Sequence, residues 1–427
     1  MNHVDFPRVG ERMYHQVLEN GLHVFVFPKP EFQKSYAFFA ANYGGMDLRF
    51  CLDGIWHDTP AGVAHYLEHK MFDTQEGNAL QKLTASGASP NAFTSNAITG
   101  YYFECTEQFE ENLRTLLSFV SVPYFTQESV DKEQGIIGQE IGMIEDDPDW
   151  KVFTNLMRAL YAHHPIRLSV AGSVESISHI TPQVLYDCHQ AFYHPANMVL
   201  CVAGNQDPER VCRIAEEVLP RQSAPVALKD YGPEEPEGAA QSLLEESMAV
   251  SCPIFQLGYK GDAPERGEAG ERQRLLGELA CEVLLGNSTP LYARLYQEGL
   301  INRNFSYGYD SVPGCAFLAA GGESRDPEAV REAVKAEAVR IAREGVDPGL
   351  WERVKKGVYG GRVRSLNSFE NLCIGQAQSF FAGGDFLGFA DLVADLRKED
   401  VEALLARWIT PERTALSVIR PKGEERA

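Results

Sequence analysis

Closely spaced cysteine pairs and a long apolar run are missing from this 427-residue chain, and little at its start suggests a secretory leader. No C-x-x-C pair occurs, which argues against a thiolate zinc site of the usual spacing and against a thioredoxin-like redox motif. The nine cysteines (51, 105, 188, 201, 212, 252, 281, 315 and 373) are odd in number and scattered. Several lie in apolar runs, such as Cys201 in Val199-Leu200-Cys201-Val202, and they read as reduced core thiols of a cytoplasmic protein. Met1-Asn2-His3-Val4-Asp5-Phe6-Pro7 has neither a basic start nor an apolar run, so no secretory leader is expected. No segment reaches the roughly 18 apolar residues that span a bilayer. Positive charge is scarce too: 39 basic residues stand against 60 acidic ones, a net charge of -21. That argues against nucleic acid or an anionic membrane as a partner. The remaining composition, 44% hydrophobic and 23% charged, is that of an ordinary globular protein whose length calls for two domains.

What is present is concentrated in Gly62-Val63-Ala64-His65-Tyr66-Leu67-Glu68-His69-Lys70-Met71-Phe72. On a helix, positions i, i+3 and i+4 share a face, so His65, Glu68 and His69 point the same way. Two neutral imidazoles one turn apart can hold a zinc ion, with the carboxylate beside the metal rather than on it. The order H-x-x-E-H is the inverse of the H-E-x-x-H zinc motif. Neighbouring residues predict a helix, with Asp58 or Thr59 as cap, Pro60 at the first position, and Ala64, Leu67 and Phe72 as apolar contacts. The bland alternative is a half-buried helix carrying incidental histidines.

Around this stretch the pattern alternates between strands and helices without a regular βαβ repeat. The Asn20-Gly21 turn between β-branched runs predicts a hairpin near 17–28, and residues 35–43 read as a buried strand. Residues 52–60 read as a polar loop, 78–86 as a helix, and 91–105 as one or two strands. Amphipathic helices are expected at 107–121 and 127–145, and a buried strand at 198–204. From 223 to 247 prolines, glycines and glutamates gather into a linker. Strand, helix, strands, helices and a final strand near 415–419 then repeat the order of the first half. The fold class expected is α+β: two homologous αβ domains, residues 1–222 and 248–427, each a mixed or antiparallel sheet with helices packed on it.

A catalytic zinc site needs three protein ligands and an open position for water. The third candidate lies in Lys132-Glu133-Gln134-Gly135-Ile136-Ile137-Gly138-Gln139-Glu140-Ile141-Gly142-Met143-Ile144-Glu145. Glu133 and Glu140, seven apart, lie nearly two turns from each other and share a face. Ile136, Ile137, Ile141 and Ile144 predict that much of this helix is buried, where a carboxylate is costly unless paired or metal-bound. On spacing alone, an exposed position for both glutamates stays open.

With these residues in view the chain resembles the M16 metallopeptidases, the family of pitrilysin, insulin-degrading enzyme and the mitochondrial processing peptidase. That family's pattern is H-x-x-E-H followed some 70 to 80 residues later by a glutamate with another seven residues before it. Here Glu140 lies 71 residues after His69, with Glu133 at the matching offset. The resemblance extends through Ser89-Pro90-Asn91-Ala92-Phe93-Thr94-Ser95, Ala171-Gly172-Ser173-Val174-Glu175-Ser176-Ile177 and Phe192-Tyr193-His194-Pro195-Ala196-Asn197-Met198. Within the family it is nearest to bacterial members found as pairs. One such group is associated with 5-aminopentanol modification of elongation factor P, and another matures ribosomally made peptides.

The resemblance implies a zinc-dependent endopeptidase, with Zn2+ on His65, His69 and Glu140. Glu68 would be the general base for a zinc-activated water, and Glu133 a second carboxylate orienting a ligand. Asn91, Ala92 and Phe93 match the edge strand that takes an extended peptide by strand addition. Tyr307 matches a substrate-holding tyrosine of the second half. The arginine that the family often carries seven residues before it is Leu300 here, and Arg294 and Arg303 are out of register. Two domains make half of the four-domain M16 clamshell, so a second M16-like chain is the implied partner, with a homodimer as the other arrangement. A non-catalytic M16-like scaffold or peptide-binding subunit is the rival function, although such chains characteristically lose motif residues that are all kept here.

Overall fold

The computed structural model describes residues 2–222 and 225–423, which fold as two compact units. Unit 1 takes residues up to 141, 169–231 and 363–388; unit 2 takes 142–168, 232–362 and the residues from 389 on. The division expected from the linker is contiguous, whereas residues 142–168 group here with unit 2 and 363–388 with unit 1. Ser223 and Ala224, at the head of that linker, lie outside the described residues. Farther along it, Leu228–Asp230 and Leu243–Met248 are strands, so these residues belong to sheets.

The sheet of unit 1 is built from β1 (Asn2–Phe6), β2 (Glu11–Val17), β3 (His23–Pro28), β4 (Ser35–Ala41), β5 (Ser89–Thr94), β6 (Thr99–Cys105) and β7 (Met198–Gly204). Its order is β1-β2-β3-β7-β4-β6-β5, antiparallel except where β7 runs parallel to β3. The sheet of unit 2 uses β8 (Leu243–Met248), β9 (Ile254–Lys260), β10 (Ser306–Val312), β11 (Cys315–Glu323) and β12 (Thr414–Pro421) in the order β8-β12-β9-β11-β10. There the last strand, β12, again enters parallel to the first, β8, and antiparallel to the second, β9. The path β3-β7-β4-β6-β5 therefore matches β8-β12-β9-β11-β10 strand for strand, and the duplication is one of topology. The central strands β4 and β7 are buried along their whole lengths, which is why both read as continuous apolar runs.

One helix in each exchanged segment lies on a central sheet. The helix Pro148–Leu160 packs on β9 and β12 of unit 2, and Phe369–Phe381 packs on β4 and β7 of unit 1. The first contact is close. A Cβ on Gly258 of β9 would stand 2.8 Å from Leu156 and 2.9 Å from Leu160, so only glycine lets this helix approach. Burying those two leucines is worth about 2 kcal/mol each.

The turn after that helix is fixed by Glu235, which accepts backbone N–H bonds from Ala162, His163 and His164 and is 2.8 Å from the Lys260 ammonium. Burial alone would raise the Glu235 carboxyl, but Lys260 and the three N–H groups outweigh it and hold the carboxyl at about 2. The folded value is lower than the unfolded one, so the stabilisation is complete above about pH 4.5 and fades as pH falls toward 2. Glu235→Gln is therefore expected to destabilise unit 2 by about 2–3 kcal/mol at pH 7. Denaturant unfolding checks this, and the gap from the wild type should shrink at pH 3.

Two sequence expectations near the motif are corrected. Residues 52–60 are not a plain loop. Arg49–Leu52 and Ile55–Asp58 pair as a hairpin, joined by Leu228–Asp230 into a small sheet. Asp53 and Gly54 make its turn with positive φ, 49° and 81°. The helix 127–146 is also less buried than its isoleucines suggest. Only Val130, Ile137 and Ile141 are buried, while Ile136 is 47% exposed.

Candidate metal centre

The motif forms the helix α1 (Val63–Met71), capped differently from the expectation. Asp58 is in the hairpin and Thr59 bonds to the carbonyl of Leu48, so neither caps α1. The N-cap is Gly62, in the left-handed region at φ 97°. A Cβ there would lie 2.6 Å from the carbonyl oxygen of Ala171, and Ser176 Oγ donates to the Ala61 carbonyl at 2.7 Å. The 171–177 segment thus closes over the start of α1 and leaves no room for a side chain at position 62. Among the described residues, no helix is long and apolar enough to cross a membrane.

α1 lies against β5 and β6, and the long helix α2 (Gln127–Asp146) brings the glutamates. The His65 and His69 rings sit 4.6 Å apart, and both Nε2 atoms face Glu140: His65 Nε2 is 3.5 Å from Oε1, and His69 Nε2 is 3.7 Å from Oε2. Within this group, one ligand atom from each residue lies within 4.8 Å of the others. These separations are long for hydrogen bonds but suit ligands around one ion, since donors about 2.0–2.1 Å from tetrahedral zinc stand about 3.3 Å apart. Exposure rises across the set, from 11% for the His65 side chain through 26% for His69 to 39% for Glu140, so the centre is closed on one side and open on the other.

The surroundings prepare the donors. His69 Nδ1 meets Glu133 Oε1 at 3.1 Å, which leaves Nε2 free for a metal. Burial pushes His65 down to about 4, so it is neutral near pH 7, the form that ligates. Burial would lower His69 as well, but the bond to Glu133 and the charges of Glu68, Glu133 and Glu140 reverse the direction and raise it. The hydrogen bond with His69 is also the main reason the Glu133 carboxyl is held down. Glu68 is 8% exposed, and burial raises its carboxyl despite the nearby His69. His65 Nδ1 is buried without a hydrogen-bond partner among the described residues, so nothing there fixes its tautomer.

Sequence reasoning missed Thr94. At the end of β5 its hydroxyl donates to Glu68 Oε2 at 3.2 Å. Strand alternation puts Ala92 and Thr94 on one face of β5 and Phe93 on the other, where Phe93 stacks on Phe38 at 5.9 Å. Asn91 is exposed, with its Oδ1 turned back to the N–H of Ala92. Among the described residues β5 pairs only with β6 and so forms the sheet edge beside α1. Tyr307 lies in unit 2 on β10, where its hydroxyl donates to Glu282 Oε2 at 3.3 Å.

Two family models match the chain: insulinase (peptidase family M16) over residues 54–174 and the peptidase M16 inactive domain over 179–358. The uncharacterized zinc protease YmfH of Bacillus subtilis is 35% identical over 427 residues, which is 98% of this chain and 99% of the relative. The chain belongs to peptidase family M16. Among solved structures, an M16-like peptidase from Alicyclobacillus acidocaldarius is similar at a TM-score of 0.93 and 32% identity, covering 96% of this chain and 99% of that one. The periplasmic protease PqqL of Escherichia coli shares the fold at a TM-score of 0.73 and 17% identity, over 95% of this M16 chain but 47% of its own.

Proposed function

We propose that this M16 chain is a zinc-dependent endopeptidase that hydrolyses extended or unfolded peptides. The observation that carries the reading is the convergence of His65 Nε2, His69 Nε2 and the Glu140 carboxylate, with Glu68 on the same face of α1. Bound zinc would polarise the scissile carbonyl and acidify water. His65, His69 and Glu140 would hold it, and Glu133 would keep His69 oriented. Glu68 takes a proton from the attacking water and passes it to the departing amine, a role that suits a carboxyl raised by burial. The unpaired edge of β5 offers backbone groups to an extended peptide, with Asn91, Ala92 and Phe93 along it. Tyr307 is a further candidate substrate contact. The nine cysteines, seven of them buried, support a reducing, cytoplasmic setting.

Thr94 links the peptide-binding edge to Glu68. Thr94→Val is expected to lower kcat about 5- to 10-fold with zinc content unchanged, as loss of one hydrogen bond to a carboxylate implies.

Leu300 in place of the family's arginine, and a match to about half of the PqqL chain, support a second M16-like chain as the partner that completes the chamber. The match to the M16 inactive domain would also suit a non-catalytic subunit, yet it covers 179–358, whereas the candidate ligands lie at 65–140. Incubating the zinc-loaded protein with an unstructured quenched peptide, alone and with a co-expressed M16-like chain, separates the readings. Chelator-sensitive cleavage that needs the second chain is the expected result. Cleavage by a stable homodimer would remove the heteromeric partner, and zinc binding without cleavage in any pairing would favour the scaffold.

A further inference from the structure

Position 70 follows the second histidine of the motif, and its side chain is among the largest that are fully buried: Lys70 is 1% exposed. An ammonium so deep is costly unless paired. Among the described residues it has two charged partners, Asp73 in a short contact and Glu133 Oε2 at 3.7 Å. The Asp73 side chain is 40% exposed, so water can serve it without Lys70. Glu133 is different. Its side chain is 15% exposed, and its other oxygen, Oε1, is the one on His69 Nδ1. Each oxygen of Glu133 is thus assigned, one to a histidine and one to a buried cation on the same helix.

We propose that Lys70 is a positioning residue for the metal centre, holding Glu133 Oε2 so that Oε1 stays on His69 Nδ1 and His69 Nε2 stays aimed at the ion. This rests on the zinc reading above. The chain of contacts runs Lys70, Glu133, His69, and nothing in it requires Lys70 to touch substrate. A purely structural lysine would matter to folding and leave the metal indifferent to its loss.

Competition with a chromophoric chelator gives zinc affinity, and the visible spectrum of the cobalt form gives ligand geometry, for the wild type, Lys70→Met, Glu133→Gln and the double variant. Glu133→Gln is expected to weaken zinc about 10- to 100-fold. Lys70→Met should weaken it about 3- to 10-fold and alter the cobalt spectrum. Because Lys70 acts through Glu133, the double variant should bind no more weakly than Glu133→Gln alone. Lys70→Arg should restore affinity, and Lys70→Gln takes the place of Lys70→Met if the latter does not fold. Wild-type affinity and spectrum in Lys70→Met, or strictly additive losses, would overturn the proposal while leaving the zinc site intact. A wild type that binds neither metal would overturn both.

Discussion

Glu68→Gln is expected to lower kcat for peptide hydrolysis by about 100- to 10,000-fold while zinc affinity stays within about twofold, the range general acid–base groups contribute. The separation of effects follows from geometry. Glu68 shares a face of α1 with both histidines, but it is not among the three residues whose ligand atoms gather within 4.8 Å. Glutamine keeps the shape and can still accept from Thr94, whose hydroxyl lies 3.2 Å from Oε2, so the local fold should persist. What it lacks is a group that takes a proton. Zinc analysis and steady-state kinetics on the same preparation check both halves, and a variant that loses zinc with activity would make Glu68 a ligand.

His65→Ala and Glu140→Gln should do the opposite and release the metal. Zinc sites with four protein ligands bind with about 10–16 kcal/mol, so one ligand's share is about 2.5–4 kcal/mol, and each variant should weaken zinc about 70- to 1,000-fold. Activity should fall with it and recover in part at high zinc. Acid should mimic these variants, because protons compete with the metal for both histidines. The competition reaches His69 first, since its carboxylate neighbours raise it while burial holds His65 at about 4. Zinc retention measured by dialysis across pH 4 to 8 reports this order in wild type and Glu133→Gln. Removing Glu133 should shift retention through two effects of opposite sign, a weaker hold on His69 and less proton competition.

Much of the site could be read from the chain because it is local. Helical spacing alone puts His65, Glu68 and His69 on one face, and the seven-residue step from Glu133 to Glu140 survives in α2. What escaped prediction depends on distant contacts. Thr59 looks like a helix cap until the Leu48 carbonyl takes its hydroxyl and Ala171 crowds Gly62. The hairpin 49–58 has strands of four residues with Ile55 and Trp56 exposed, so no alternation marks a buried face. Ile136 reads as core because sequence gives the apolar count of α2 but not which side meets α1. The helices Pro148–Leu160 and Phe369–Phe381 announce their apolar faces, yet nothing local says which unit's sheet they cover. Thr94 and Lys70 are ordinary in sequence, and only the fold sets them beside Glu68 and Glu133.

The most direct test of the metal centre is X-ray absorption at the zinc edge of the purified wild-type protein. Two imidazole nitrogens at about 2.0–2.1 Å with oxygen ligands completing a four-coordinate shell are the predicted result, from His65, His69, Glu140 and water. Sulfur at about 2.3 Å, or an all-oxygen shell without imidazole, would contradict it.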